Sequence, residues 1–565
     1  MFLCISIQQA ENKNMKKTLT FSLLLLAQIA FSQTFTKRDS LRGGLPFERT
    51  CFDVQKYVID VSVDVENKFI TGLTTISFKV VENTKRIQLD LFENMKIDSI
   101  VNLKETDSKF IFNKLSYKRE YDAVFVEFDH ELKKDDEVDI FFYYSGKPKE
   151  AKNAPWDGGF VWKKDTNGKP FVGVAVQGTG ASLWYPCKDS QTDEPDNGVS
   201  VFVTVPDGLV AVSNGRYFAD LTQKDNQRQW IWEVKNPINN YNVTLNIGDY
   251  VNFSDKLGDV DIDYWVLREN EERAKKHFQD DVKPMLECFQ QKFGRYPFVE
   301  DGFKLVETSY LGMEHQSAIA YGNRYTKGYL GVDTSGSGVG KLFDYIIVHE
   351  TGHEWFGNSI TSKDIADMWI HESFTTYSEA VYVECRWGYE KAMQYINGQR
   401  AMVENRKPIV GQFGVNFKSK NTDMYYKGAL MLNTIRHIVN NDEKWWEMIL
   451  DYSNHFKYQI IEANDVIEFF TTQSGVNLRP VFRQYLYYTN LPELIIETSK
   501  KGFNYYWKTD VENFEMPIEI VINGQIIRLN PTNKPQFYKV KKKKNTSIKV
   551  NNKKFFVTEK IMSQE

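Results

Sequence analysis

Two histidines four residues apart, His349 and His353, with Glu350 beside the first, constrain this chain more than any other feature. Residues 341–357 can be helical, and on a helix positions i and i+4 stand one turn apart on one face. Both imidazoles can then converge on one ion, while Glu350 reaches what the ion holds rather than the ion itself. A catalytic zinc site takes three protein ligands and keeps a fourth position open. Glu372 is the third candidate: it follows His353 after eighteen residues, near the start of a second helical stretch over 368–386. A helix, a tight connection and a returning helix would bring the three donors to one Zn2+ per chain. The bland alternative is a helix whose histidines are merely hydrogen-bonded, and it leaves the placement of Glu372 without a reason.

The 565 residues suggest three or four domains. With 42% hydrophobic and 26% charged residues the composition is that of a globular protein. A formal net charge of −4 argues against a nucleic-acid partner. Met15-Lys16-Lys17, an apolar run over 19–29 and Ala30-Phe31-Ser32 read as a secretory signal cleaved after Ser32, with the true start at Met15. The run is too short to span a bilayer, and no later stretch is apolar enough to do so. The mature chain is therefore expected in the periplasm or outside the cell. Cys4 would be lost with the leader, and Cys51, Cys187, Cys288 and Cys385 are read as unpaired, mostly buried thiols.

Alternating patterns over 56–65, 74–80 and 121–128, and the Asn167-Gly168 turn, predict a β domain over 33–254, a sandwich or saddle. The period then changes. Residues 270–293 read as one amphipathic helix, and further helices are expected over 424–439, 443–452, 465–473 and 479–487. A mostly helical catalytic domain thus spans 255–491, and Ser335-Gly336-Ser337-Gly338 reads as a flexible loop before its zinc helix. Strand patterns return over 492–565 with a hairpin at Asn523-Gly524, forming a small β domain, and Lys541–Lys544 reads as a solvated turn. The class is multidomain α+β.

Further motifs join the zinc pattern. Leu311-Gly312-Met313-Glu314-His315 is similar to a G-x-M-E-N exopeptidase motif, Tyr425-Tyr426-Lys427-Gly428 matches Y-x-K-G, and Gln177 precedes Trp184-Tyr185-Pro186-Cys187. With His349, Glu350, His353 and Glu372 the chain resembles the gluzincin aminopeptidases, the family of aminopeptidase N and the leukotriene hydrolase, over roughly residues 50–560. The resemblance implies a thermolysin-like zinc domain in which Glu350 is general base and Tyr425 donates to the oxyanion. It implies that Glu314 anchors a free α-amine, with Gln177, Gly312 and Met313 also at the substrate. Leu311 and His315 depart from the motif, which bears on backbone geometry and side-pocket shape. His315 and His371 have no assigned role and default to surface or supporting positions. The chain ends before the large C-terminal helical domain of longer members, so a more open cleft is expected.

The leading expectation is an exported zinc aminopeptidase acting on peptides with a free N-terminus. A thermolysin-like endopeptidase shares the zinc pattern, but Glu314 and the Tyr425 motif argue against it. An epoxide hydrolase and a non-catalytic binding scaffold are the other readings.

Overall fold

The computed structural model describes residues 35–106, 109–417, 421–540 and 547–563. The leader and the Lys541–Lys544 run lie outside them. An eight-stranded sheet dominates the N-terminal half, with Phe52–Asp64 and Phe69–Val80 paired antiparallel near its middle. Their side chains alternate between buried and partly exposed, the period-2 signature of a sheet with one face inward. A four-stranded and a three-stranded sheet share its core, in which Tyr57, Ile59, Trp184 and Val201 are fully buried. The Asn167-Gly168 hairpin forms between Gly159–Lys164 and Pro170–Ala175.

The hairpin of Tyr250–Leu257 and Val260–Leu267 crosses the expected boundary at 254 and starts a five-stranded mixed sheet ending in the short strand Gly312–Met313. The catalytic part is therefore helical around a sheet the sequence pattern did not resolve. Three helices matter most: α1, Tyr345–Gly352; α2, Trp369–Trp387; and α3, Tyr426–Val439. C-terminal strands such as Glu493–Thr498 and Ile518–Ile522 pack against the helices, so their apolar side chains continue the helical core. Among the described residues no helix is long and apolar enough to cross a membrane.

Three expectations are corrected. The helix over 270–293 is two helices, Glu271–Phe278 and Val282–Phe293. Pro284 has no N–H for the Asp280 carbonyl, which stops one helix from running through, and at the break Asp281 is buried and accepts from Tyr382 Oη (2.8 Å), Asp344 N (2.9 Å) and Lys327 Nζ (2.5 Å). Cys288 and Cys385 are joined in a disulfide, while Cys51 and Cys187 remain buried thiols. The 335–338 loop is pinned by the Asp333 carboxylate, which accepts from Ser335 N (2.9 Å) and Ser335 Oγ (2.6 Å).

Candidate active site

Asp344 caps α1, accepting from Ile346 N (3.0 Å) and Ile347 N (3.3 Å), so the helix is shorter than 341–357 and His353 stands at its C-terminal cap. Its backbone stays helical there, and the one-turn relation to His349 survives. Glu372 comes from the first turn of α2. Its Oε2 lies 3.7 Å from His349 Nε2 and 3.4 Å from His353 Nε2, and all three residues are buried.

Glu372 Oε2 has no hydrogen-bond partner although it is buried, which is costly unless a cation takes the place of the missing donor. The other ring nitrogens are already committed. His349 Nδ1 meets Glu379 Oε1 at 2.7 Å, and His353 Nδ1 lies 3.0 Å from the Phe356 carbonyl and 3.1 Å from Thr375 Oγ1. Glu379 is fixed in turn by Tyr395 Oη (2.6 Å) and Gln399 Nε2 (3.0 Å). Each imidazole thus turns its Nε2 toward Glu372, and two imidazoles with one carboxylate are a donor set that fits a catalytic zinc ion. Burial opposes charging His349, but Glu372 and Glu379 outweigh it and raise its pKa well above the usual range.

Glu350 projects toward a second carboxylate. One ligand atom each of Glu314, Glu350 and His353 lie within 4.8 Å of one another. Burial pushes the Glu350 carboxyl up to about 7 against the pull of His349. Gly312, on the edge strand, passes so close that a Cβ there would sit 2.8 Å from Glu350 Oε1. Met313, next along the same strand, pairs with Ala320 of the neighbouring strand Ile319–Tyr321 and is buried. The Gln177 amide, from the N-terminal β domain, donates to Glu314 Oε1. Tyr425 ends the turn before α3, and its hydroxyl donates to Glu372 Oε1 at 2.9 Å. Burial first, and then the charge of Glu372, hold that phenol protonated. Ser373 Oγ on the Met424 carbonyl (2.7 Å) and Lys427 Nζ on the Tyr488 carbonyl (2.8 Å) fix the segment.

Every residue singled out for the site is thus brought to one place. The two histidines without a role are both buried, not at the surface. His371 accepts from Ser362 N (2.8 Å), and burial lowers its pKa to about 3, as it does for His315. Sequence reasoning missed Glu379, Thr375 and Asn358. The last donates to the Glu314 carbonyl (2.7 Å) and to Glu354 Oε1 (2.9 Å), tying the edge strand to the segment after α1. Glu379 left a trace: it follows Glu372 by seven residues, two turns along the same face of one helix.

Two family models match the chain: the Peptidase M1 N-terminal domain over residues 54–241 and the Peptidase family M1 domain over 279–485. The chain belongs to peptidase family M1. The M1 assignment agrees with its relatives. Aminopeptidase B of Mus musculus is 25% identical over 317 residues, 54% of this chain and 46% of that protein. Aminopeptidase N of Lactobacillus helveticus is 22% identical over 457 residues, 77% of this chain and 51% of that one. The chain spans about half the length of these curated relatives. The fold matches a crystal structure of a mutant M1 zinc metallopeptidase from Deinococcus radiodurans bound to a Tyr-Ser-Ala substrate, with a TM-score of 0.62 and 19% identity, over 78% of this chain and 95% of that one. M1 members of this kind are zinc metallopeptidases, and the orphaned oxygen of Glu372 is where such an ion fits.

Proposed function

We propose that this M1 chain is an exported zinc aminopeptidase that removes residues one at a time from peptides with a free N-terminus. His349, His353 and Glu372 would hold the ion. When bound, zinc supplies Lewis-acid chemistry: it polarises a carbonyl and makes water a nucleophile near neutral pH.

The observation that carries the reading is the placement of Glu314 within 4.8 Å of Glu350. An α-ammonium in a buried cleft needs a carboxylate partner, and Glu314 with Gln177 supplies one. Only two covalent bonds separate an α-nitrogen from its own carbonyl carbon. A peptide held by its amine at Glu314 therefore presents its first peptide bond to Glu350. An internal bond of a longer peptide has no amine to fill that carboxylate, which disfavours the thermolysin-like endopeptidase. No feature of the site calls for epoxide chemistry, and the complete constellation disfavours a non-catalytic scaffold.

Glu350 takes a proton from the attacking water and delivers it to the leaving nitrogen. Tyr425, now on Glu372, would turn its hydroxyl to the oxyanion, where a placed donor acts most strongly. The edge strand Gly312–Met313 offers backbone pairing for an extended substrate. The substrate in the Deinococcus radiodurans structure is a short peptide, in keeping with this reading. The Cys288–Cys385 disulfide supports export, because such bonds persist in oxidising compartments.

The test is a time course on a five-residue peptide followed by mass spectrometry, with and without a zinc chelator. Chelator-sensitive loss of one residue at a time, abolished in Glu350→Gln, is the expected result. Internal fragments as first products would overturn it.

A further inference from the structure

A cavity of about 180 Å3 opens beside the amine anchor. Gln177, which donates to Glu314, and Met424, which precedes Tyr425, both line it. Ile365, Met368 and Trp369, just ahead of Glu372, form another side. The volume is below the ~300–1,000 Å3 of sites for drug-sized ligands, so it suits one large side chain and not a run of residues.

The β domain contributes Asn239, Tyr241 and residues 189–192, and two segments that take no part in the chemistry close the outer wall. One is a strap at the N-terminal end of the described chain, with Leu45 facing the cavity; the other is the loop over 409–417, with Phe413 and Val415. Leu45 is 42% exposed and Phe413 46%, which puts them at the solvent boundary. The two segments are built into each other. The strap helix Lys37–Gly43 starts with a capping box between Thr36 and Asp39. The Asp39 carbonyl accepts from Asn416 N (2.9 Å), and the rings of Phe35 and Phe417 meet edge to face at 5.6 Å. At Gly43 the backbones touch, for a Cβ there would lie 2.4 Å from Val415 Cα. The strap is also anchored to the β domain. Arg38 makes two 2.8 Å bonds to Asp122, and Arg42 donates to the Thr179 carbonyl, two residues past Gln177.

Carboxylates outnumber cations around the cavity, and Asp364 and Asp367 are met by neutral N–H donors only. Asp189 accepts from Ala181 N and Ser182 N at 3.1 Å, and Asp364 accepts from Ala366 N and Gly414 N at 2.8 Å. Asp367 takes Trp369 Nε1 (3.2 Å) and Ala463 N (3.1 Å), and Lys363 pairs with Glu462 at 2.6 Å. A carboxylate side chain entering here would lose its hydration and meet the carboxylates of Asp364 and Asp367, whereas an apolar one is stabilised by burial.

We propose that the strap over residues 35–45 and the loop over 409–417 form a clasp that determines specificity: it closes the pocket for the side chain of the residue whose amine Glu314 holds, and selects large apolar first residues over small or acidic ones. The inference rests on the aminopeptidase reading above. The clasp acts on binding of the first side chain and not on bond cleavage, so its removal changes KM more than kcat.

The test measures kcat and KM for the 4-nitroanilides of phenylalanine, alanine, arginine and glutamate. The expected wild-type preference for phenylalanine over alanine in kcat/KM is at least about tenfold, with arginine below phenylalanine and glutamate lowest. Leu45→Ala and Phe413→Ala should each cut the phenylalanine-to-alanine ratio about fivefold or more, mostly through KM. Leu221→Ala, exposed on the strand Arg216–Gln223, should keep it. A ratio that neither clasp variant moves, or a preference for arginine or glutamate, overturns the proposal. Calorimetry of free phenylalanine and free alanine with the zinc-loaded Glu350→Gln protein reads the pocket without turnover. Tighter binding of phenylalanine, weakened when Leu45→Ala is added, supports the clasp even if wild type hydrolyses none of the four probes, an outcome that would sink the activity reading alone. Equal binding of the two amino acids overturns the clasp whatever the turnover.

Discussion

At the scale of single residues, the site depends on groups that orient its donors. His349 presents Nε2 to Glu372 because Glu379 holds Nδ1, and Glu379 is held by Tyr395 and Gln399. Glu379→Gln keeps the shape and removes the charge. It should weaken zinc binding about 10–100-fold, measured by competition with a chelator of known affinity. Unchanged affinity would mean that Glu379 does not set the ring's basicity. His349, Glu350 and His353 were legible in the sequence because helical spacing is local and a one-turn relation survives even where α1 ends early; Glu372 was legible as the carboxylate that opens the returning helix. The roles of Glu314, Gln177 and Tyr425 came from resemblance alone, since no spacing rule links positions so far apart. Thr375 and Asn358 were not legible, because the contacts that give them meaning join separate elements.

At the scale of elements, the fold holds α2 from both sides. Gly428 and Ser373 bring α3 against its first turn, and the Cys288–Cys385 disulfide ties its last turn to the helix Val282–Phe293. The bridge closes a loop with a sequence separation of 97. Replacing both cysteines by alanine should lower stability by about 2–4 kcal/mol in urea unfolding, through the freedom returned to the unfolded chain. A change within error would show that the packing around the bridge carries the stability instead. The sequence could not give this pairing, because four scattered cysteines state no proximity. The break in the 270–293 helix did have a sequence signal that the apolar periodicity hid: Pro284 lacks the N–H that a continuous helix would bond to the Asp280 carbonyl, so it fits only in the first turn of a second helix. Strand alternation, by contrast, located Phe52–Asp64 and the Asn523-Gly524 hairpin well, because period and turn chemistry are local signals.

At the scale of the whole molecule, the seam between the β domain and the helical part is itself titratable. Glu194 accepts from Thr361 Oγ1 at 2.7 Å across it, and desolvation pushes its carboxyl up to about 7. The folded protein therefore keeps a proton that the unfolded chain releases from the ordinary glutamate range upward. The stability this proton carries is complete below that range and is lost as pH rises through about 7. Glu194→Gln should remove this contribution, so that its gain in Tm over wild type grows between pH 5 and 8. Parallel curves would contradict it. The same seam brings Gln177 to Glu314 and makes the amine anchor a joint product of two parts of the chain. The central claim is that this anchor directs hydrolysis to the first peptide bond. The most direct measurement compares one tripeptide with its N-acetylated twin in wild type and in Glu314→Ala. The account predicts that wild type cleaves the free peptide at least about a hundredfold faster, and that Glu314→Ala removes most of this discrimination by losing activity on the free peptide. Equal cleavage of the twins by wild type, or discrimination untouched in Glu314→Ala, would contradict it.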